Sequence, residues 1–163
     1  MKPYLKLAEC KTPEGQPLEL IEHDGTFMIC SRGEQLMTSF SHGSEETLAE
    51  LACSPFRPVK QPRILVGGLG MGFTLAAATK ALPAKRAQFI VSELTADIET
   101  WNRTHLSGLN PGLLDDERIT IKIKPVQKLI RQASGEYHAI LLDVDNGPSA
   151  FHGKNNDSIY SIN

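Results

Sequence analysis

The stretch Val66-Gly67-Gly68-Leu69-Gly70-Met71-Gly72-Phe73 decides the fold of this chain. It follows Arg63-Ile64-Leu65-Val66-Gly67, whose consecutive branched residues are typical of a strand buried on both faces. The segment from Phe73 to Leu82 is rich in alanine and stops at Pro83, which indicates a helix. Glycine allows a positive φ, and a helix start presents free amides, so the turn between them predicts a nucleotide-binding site.

The spacing of Gly68, Gly70 and Gly72 distinguishes between classes of nucleotide. A dinucleotide fingerprint starting at Gly68 requires a glycine where this chain has Phe73, and the Gly-Lys-Ser/Thr of a phosphate loop is absent. The spacing is similar to the G-x-G-x-G turn of the methyltransferase superfamily. A turn that merely packs the helix against the strand is the alternative.

The same alternation of strand and helix continues along the chain. Further strands are predicted at Gln88 to Ser92, Ile119 to Ile123 and Ala139 to Asp143, and helices at Ala96 to Thr104 and Pro125 to Ala133. Such alternation implies right-handed crossovers and a parallel sheet. We therefore predict an α/β domain with a Rossmann-like, methyltransferase-type parallel sheet and helices on both faces, over residues 63–163.

Residues 1–42 precede this domain as a small antiparallel β meander. Its hairpin signal is Asp24-Gly25, between β-rich runs at Leu18 to Glu22 and Thr26 to Cys30. A third short strand is predicted at Glu34 to Met37. Residues 43–62 hold a short helix, which Ser44 can cap, and a proline-rich linker.

Carboxylates follow two of the predicted buried strands. Glu93 lies about twenty residues past the glycine turn, where an acid can accept both hydroxyls of a ribose. Asp143 and Asp145 follow the fourth strand, which we expect to lie beside the first, so both face the same crevice. Carboxylates there can deprotonate or orient an amine and favour a cationic sulfonium. The alternatives are a solvated carboxylate or helix cap at Glu93 and an Asx turn after Asp143.

The composition of the chain restricts its partners, its location and its metal or disulfide content. A length of 163 residues is typical of about one domain. The net charge of -2, with acidic and basic residues interspersed, predicts no nucleic-acid partner. Its apolar runs are too short for a membrane span and its beginning lacks a signal-peptide core, so a cytoplasmic location is expected. The three cysteines and five histidines have no close ligand spacing, so neither a disulfide nor a metal is predicted.

Taken together, these residues resemble the spermidine synthase family, a methyltransferase-fold branch that transfers an aminopropyl group from decarboxylated S-adenosylmethionine to putrescine. The segment Gly33-Glu34-Gln35-Leu36-Met37 and the segment Ile159-Tyr160-Ser161 also resemble stretches of that family. The resemblance implies cofactor contacts for Gln35, Gly68, Leu69, Gly70, Met71, Gly72, Glu93 and Leu94.

The same resemblance implies a substrate site. Glu46 and Tyr160 are expected to contact the amine substrate. Asp143 matches the family's base, and Asp145 is the nearest equivalent of its second aspartate, which holds another cationic nitrogen. A homodimer is also implied.

Departures from the family pattern are equally informative. Gly70 replaces the aspartate that contacts the aminopropyl amine, and Ser44 replaces a tyrosine of the polyamine site. Lys124-Pro125 replaces a Gly-Asp pair near the adenine, and Thr95 replaces an acid. These changes argue against an ordinary putrescine aminopropyltransferase and leave nucleoside binding intact.

The function expected is therefore transfer of an aminopropyl or methyl group from S-adenosylmethionine or its decarboxylated form to a small amine. A methyltransferase proper and a catalytically silent nucleoside-binding or assembly module are the alternatives, and a nicotinamide-dependent oxidoreductase is least favoured by the spacing. Because a methyltransferase-type sheet ordinarily continues past its fourth strand, we expect the domain to be incomplete at its C-terminal side, with a last strand that further residues or a partner would cover.

Overall fold

Two four-stranded sheets and four helices make up this computed structural model, which describes residues 3–144. The antiparallel sheet has the order β1-β2-β3-β4 and the parallel sheet the order β7-β6-β5-β8. The strands are β1 (Leu5–Lys11), β2 (Pro17–His23), β3 (Thr26–Ser31), β4 (Glu34–Thr38), β5 (Arg63–Gly67), β6 (Gln88–Glu93), β7 (Ile119–Ile123) and β8 (Ala139–Leu142). The helices are α1 (Gly43–Cys53), α2 (Phe73–Ala81), α3 (Ala96–Arg103) and α4 (Val126–Gln132). The predicted fold class is confirmed.

The antiparallel sheet contains one strand more than the predicted meander. Its β2–β3 hairpin turns at Asp24 and Gly25, which have φ values of 50° and 81°, as a tight hairpin turn requires. The additional strand β1 pairs antiparallel with β2 at the edge of the sheet. Its residues are all exposed or half-buried, so its apolar alternation is weak. This segment is therefore a strand because it pairs with β2, and not because its own sequence alternates between apolar and polar residues.

Helix α1 begins earlier than predicted, at Gly43, and the expected capping role of Ser44 is wrong. Ser44 lies within the first helical turn, and its hydroxyl donates to Oε2 of Glu45 at 2.6 Å. The cap position is taken by His42, which makes no side-chain capping bond. A capping side chain must precede the first helical residue, which Ser44 does not.

Both faces of the parallel sheet are covered. Ile64 and Val66 face the larger core, which includes buried residues of α1 and α2. Leu65 faces the other way and packs with Val126 and Leu129 of α4. All three β5 side chains are fully buried, which explains why the strand reads as a continuous apolar run.

The strand order places the fourth parallel strand beside the first, as predicted. β8 pairs with β5 in parallel, and the amide of Asp143 donates to the carbonyl of Gly67 at 2.9 Å. The carboxyl ends of β5, β6 and β8 therefore meet at one edge of the sheet. Within residues 3–144, β8 has β5 as its single strand neighbour.

Among the helices of the same residues, none is long and apolar enough to cross a membrane.

Candidate functional site

A cavity of about 660 Å³ lies between the two sheets, at the carboxyl edge of the parallel one. Its lining combines the glycine turn, the end of β6, the end of β8, α4 and the antiparallel sheet. The predicted site residues Gly68, Gly70, Glu93, Leu94 and Asp143 all line it. Residues from both halves of the chain thus form one concave site.

The glycine turn is held in a backbone conformation that favours glycine. Gly68, Gly70 and Gly72 have φ values of +92°, +51° and +82°. A Cβ at Gly68 would lie 2.3 Å from the carbonyl oxygen of Asp143, a contact that no side chain could make. The turn is therefore glycine-rich both for its left-handed geometry and for the close approach of β8.

Two asparagines hold the turn from outside it. The Nδ2 of Asn102 donates to the carbonyl of Gly70 at 2.7 Å, and the Nδ2 of Asn110 donates to the carbonyl of Met71 at 3.0 Å. Asn102 lies on α3 and is buried. Neither asparagine was predicted as a site residue from the sequence. The available signal was a polar residue on the apolar face of α3, next to Ile98 and Trp101.

Glu93 ties the turn to the end of β6. Its Oε2 accepts a hydrogen bond of 2.9 Å from the amide of Leu69, and its Oε1 accepts bonds of 2.7 and 3.0 Å from the amides of Leu94 and Thr95. The carboxylate is half-buried, so the alternative of a freely solvated strand-end acid is wrong. It faces the cavity from the position at which a ribose-binding acid was predicted.

Asp143 lies at the opposite side of the turn from Glu93, directly after β8. Its Oδ2 accepts a hydrogen bond of 2.6 Å from the hydroxyl of Thr74, a buried residue in the first turn of α2. Thr74 was not predicted, because nothing in its local sequence marks it. The predicted partner Asp145 lies outside the described residues.

The other predicted cofactor contacts are not part of the cavity lining. Leu69 and Met71 are 3% and 1% exposed and belong to the core, and Gly72, at the start of α2, is also absent from the lining. Gln35 is exposed on β4 and is not part of the cavity lining, whereas the next two residues, Leu36 and Met37, are.

The predicted substrate contacts are not brought to the cavity within the described residues. The side chain of Glu46 is 60% exposed, and its Oε1 lies 3.0 Å from Nδ1 of His42, which stacks on Phe73. Glu46 is absent from the cavity lining. Tyr160 lies outside the residues that the structure describes.

The thiol of Cys10, which feels the charge of Glu93, is not poised as a nucleophile. Burial raises the pKa of Cys10 to about 11, and the carboxylates of Asp97 and Glu93 add to the effect. Cys10 is therefore a protonated thiol near neutral pH. In the range 3–144, no three His, Cys, Asp or Glu side chains are grouped so that they could hold a metal ion.

Comparison with solved structures gives the fold. A probable spermidine synthase from Corynebacterium glutamicum is similar over 84% of this chain and 51% of that one, with 15% identity and a TM-score of 0.55. This chain therefore spans about half the length of that protein. No protein-family model and no curated protein matches the chain.

Two further structures are similar with lower scores. One is a Podospora anserina methyltransferase with bound S-adenosylhomocysteine, at 18% identity and a TM-score of 0.47, over 65% of this chain and 42% of that one. The other is the O-methyltransferase TomG of Streptomyces achromogenes in complex with S-adenosylmethionine, at 14% identity and 0.46, over 64% and 44%. The similarity to the Corynebacterium structure, with a TM-score of 0.55 at 15% identity, shows the fold alone and nothing about the ligand of this chain.

Proposed function

We propose that this chain binds S-adenosylmethionine or its decarboxylated form and transfers an aminopropyl or methyl group to a small amine. The observation that carries the proposal is the 2.9 Å hydrogen bond between the amide of Leu69 and Oε2 of Glu93. It joins a left-handed glycine turn to an acid at the next strand end, and both line the cavity. The homodimer implied by the family resemblance stays a prediction.

The size and charge of the cavity support a nucleoside sulfonium ligand. A volume of about 660 Å³ lies within the usual range for small-molecule sites. Glu93 and Asp143 place carboxylates on two sides of the glycine turn. A positive sulfonium gains electrostatic stabilisation beside these two carboxylates, while Lys128 and Arg131 line the same cavity from α4.

When bound, the sulfonium nucleoside supplies an electrophilic carbon and a neutral thioether leaving group. We assign to Asp143 the role of taking the proton of the attacking amine as the carbon–nitrogen bond forms and the carbon–sulfur bond breaks. Thr74 fixes one oxygen of that carboxylate through its 2.6 Å hydrogen bond.

Calorimetry with S-adenosylhomocysteine, the unreactive product analogue, tests the proposal. The wild-type protein is expected to bind it, and Glu93→Gln to bind about ten- to hundred-fold less tightly, since a charged hydrogen-bond acceptor is lost. Glu117→Gln is the matched control, because Glu117 is exposed and outside this cavity. Failure of the wild-type protein to bind S-adenosylhomocysteine and both forms of the methionine cofactor would refute the proposal.

A methyltransferase proper is the second candidate, and the surroundings of Gly70 favour it. A Cβ built at Gly70 lies 2.7 Å from Cε and 3.1 Å from Sδ of Met37. An acidic side chain at this position, as the aminopropyl-transferring family has, would require Met37 to move. Titration with each cofactor separates the candidates, because methyl transfer needs the carboxylated form and aminopropyl transfer needs the decarboxylated one.

A further inference from the structure

The cavity wall formed by the antiparallel sheet is apolar. Four side chains from three adjacent strands line it: Leu18 of β2, Ile29 of β3, and Leu36 and Met37 of β4. We call these four residues the apolar wall. Leu18 and Ile29 are 5% and 3% exposed, and the two β4 residues are half-buried. The wall is therefore part of the core on one side and of the cavity on the other.

The apolar wall lies directly against the glycine turn. The Cε of Met37 is the nearest atom to the space beside Gly70, as the 2.7 Å approach to a Cβ built there shows. A ligand that passes the turn on this side therefore meets a thioether and methyl groups.

Charge is distributed unevenly around the same cavity. Glu93 and Asp143 line it at the carboxyl edge of the parallel sheet, and Lys128 and Arg131 line it from α4. Among the described residues, the antiparallel unit adds one charged side chain to the lining, Glu14, which is exposed in the turn between β1 and β2. The four side chains of the apolar wall carry no charged or strongly hydrogen-bonding group, so an ammonium in contact with them would lose hydration without gaining a partner among them.

We propose that the acceptor is a monoamine with an alkyl or aryl body, whose apolar end lies on the apolar wall while its amine faces Asp143. The inference rests on the proposed transferase function for the role of the amine. It excludes linear diamines as preferred acceptors, because their second ammonium would face Leu36 and Met37. Each methylene buried on the wall contributes about a fourfold gain in affinity.

Pentylamine and putrescine form a matched pair of probes, because they have the same number of heavy atoms and differ in one terminal group, methyl or ammonium. Ligand-observed magnetic resonance and calorimetry would measure their dissociation constants, with the protein free and saturated with S-adenosylhomocysteine. Pentylamine is expected to bind at least about tenfold more tightly than putrescine. Met37→Glu should reverse the order by giving the second ammonium a partner, while Met37→Leu should retain it.

The outcomes separate this inference from the proposed function. Putrescine binding as tightly as pentylamine, or neither amine binding, would overturn the apolar acceptor even if S-adenosylhomocysteine binds normally. Pentylamine binding to a protein that binds neither S-adenosylhomocysteine nor either form of the methionine cofactor would support the apolar wall and refute the proposed function. If Met37→Glu does not fold, as judged by circular dichroism, the wild-type comparison of the two amines still decides the question.

Discussion

The hydroxyl of Thr74 donates a hydrogen bond of 2.6 Å to Oδ2 of Asp143, although 69 positions separate them in the sequence. Thr74 is in the first turn of the helix that follows the glycine turn, and Asp143 directly follows the last described strand. The bond therefore joins the start of the nucleotide-binding unit to the candidate base. Because Thr74 is 2% exposed, its hydroxyl has little access to water.

Replacing Thr74 by valine should destabilise the protein, because the isosteric side chain removes the donor to Asp143. We expect a loss of about 1.5 to 3 kcal/mol in the free energy of unfolding, as for hydrogen bonds to charged groups. Thr74→Ser keeps the hydroxyl and should lose less. Urea denaturation of the three proteins measures the difference, and equal losses for valine and serine would contradict the assigned role.

Alanine at Gly68 should be far more damaging than alanine at Gly112. Both glycines have positive φ, +92° and +73°, but a Cβ at Gly68 meets the backbone of Asp143 at 2.3 Å while one at Gly112 meets nothing within 4 Å. Gly112→Ala is expected to cost about 1 kcal/mol for its backbone conformation alone. Gly68→Ala should cost about 3 kcal/mol or more, or prevent folding. Chemical denaturation of the pair isolates the effect of the clash, and similar losses would argue against it.

Aspartate in place of Asn102 should release the glycine turn. The Nδ2 of Asn102 donates to the carbonyls of Gly70 and Ile98, so a carboxylate of the same size would face two acceptors in a buried position. The expected loss is about 3 kcal/mol or more, with weaker nucleoside binding. Asn110→Asp is the comparison, since half-buried Asn110 makes one such bond, to Met71. Thermal unfolding should rank Asn102→Asp as the less stable variant, and the opposite ranking would disprove the account.

The ion pair of Asp116 and Arg118 should give a pH-dependent contribution to stability. Hydrogen bonds from the Arg118 guanidinium hold the pKa of Asp116 below its ordinary value. Arg118 also donates to the carbonyl of Leu82 at 2.8 Å, which links the start of β7 to the end of α2. Because the pKa of Asp116 is lower in the folded state, its contribution is present above the unfolded-state value near pH 4 and is lost as the pH falls through the folded-state value.

Asp116→Asn is therefore expected to lower the free energy of unfolding by about 1 kcal/mol at pH 7, with the difference from wild type shrinking towards pH 3. Its neighbour provides the control, since the Asp115 side chain is 85% exposed and lies 3.7 Å from Arg103. Asp115→Asn should have little effect at any pH. Thermal melts from pH 7 to pH 3 measure both, and a constant deficit for Asp116→Asn would contradict the prediction.

Local patterns predicted the parallel half of the fold because its signals are short-range. Three local signals show this: the branched residues of β5, the glycines with positive φ at the turn, and the alanines of α2. Each signal lies within about ten consecutive residues and favours one backbone conformation there. β1 was missed because it has no buried residue, so its strand conformation comes from pairing with β2. The role of Ser44 as a cap was wrong because α1 begins at Gly43, one residue before it.

The sequence by itself determined the glycine turn, the acid at the end of β6 and the order of strands and helices in the parallel domain, because backbone preference and hydrophobic period are properties of neighbouring residues. Tertiary structure alone decided what meets at that turn: Asn102 against Gly70, Met37 beside it, and Thr74 bonded to Asp143. These contacts depend on how two sheets and α3 pack together. That packing cannot be predicted from short stretches of sequence. It brings the carboxylates of the candidate site to one side of the cavity and the apolar wall to another.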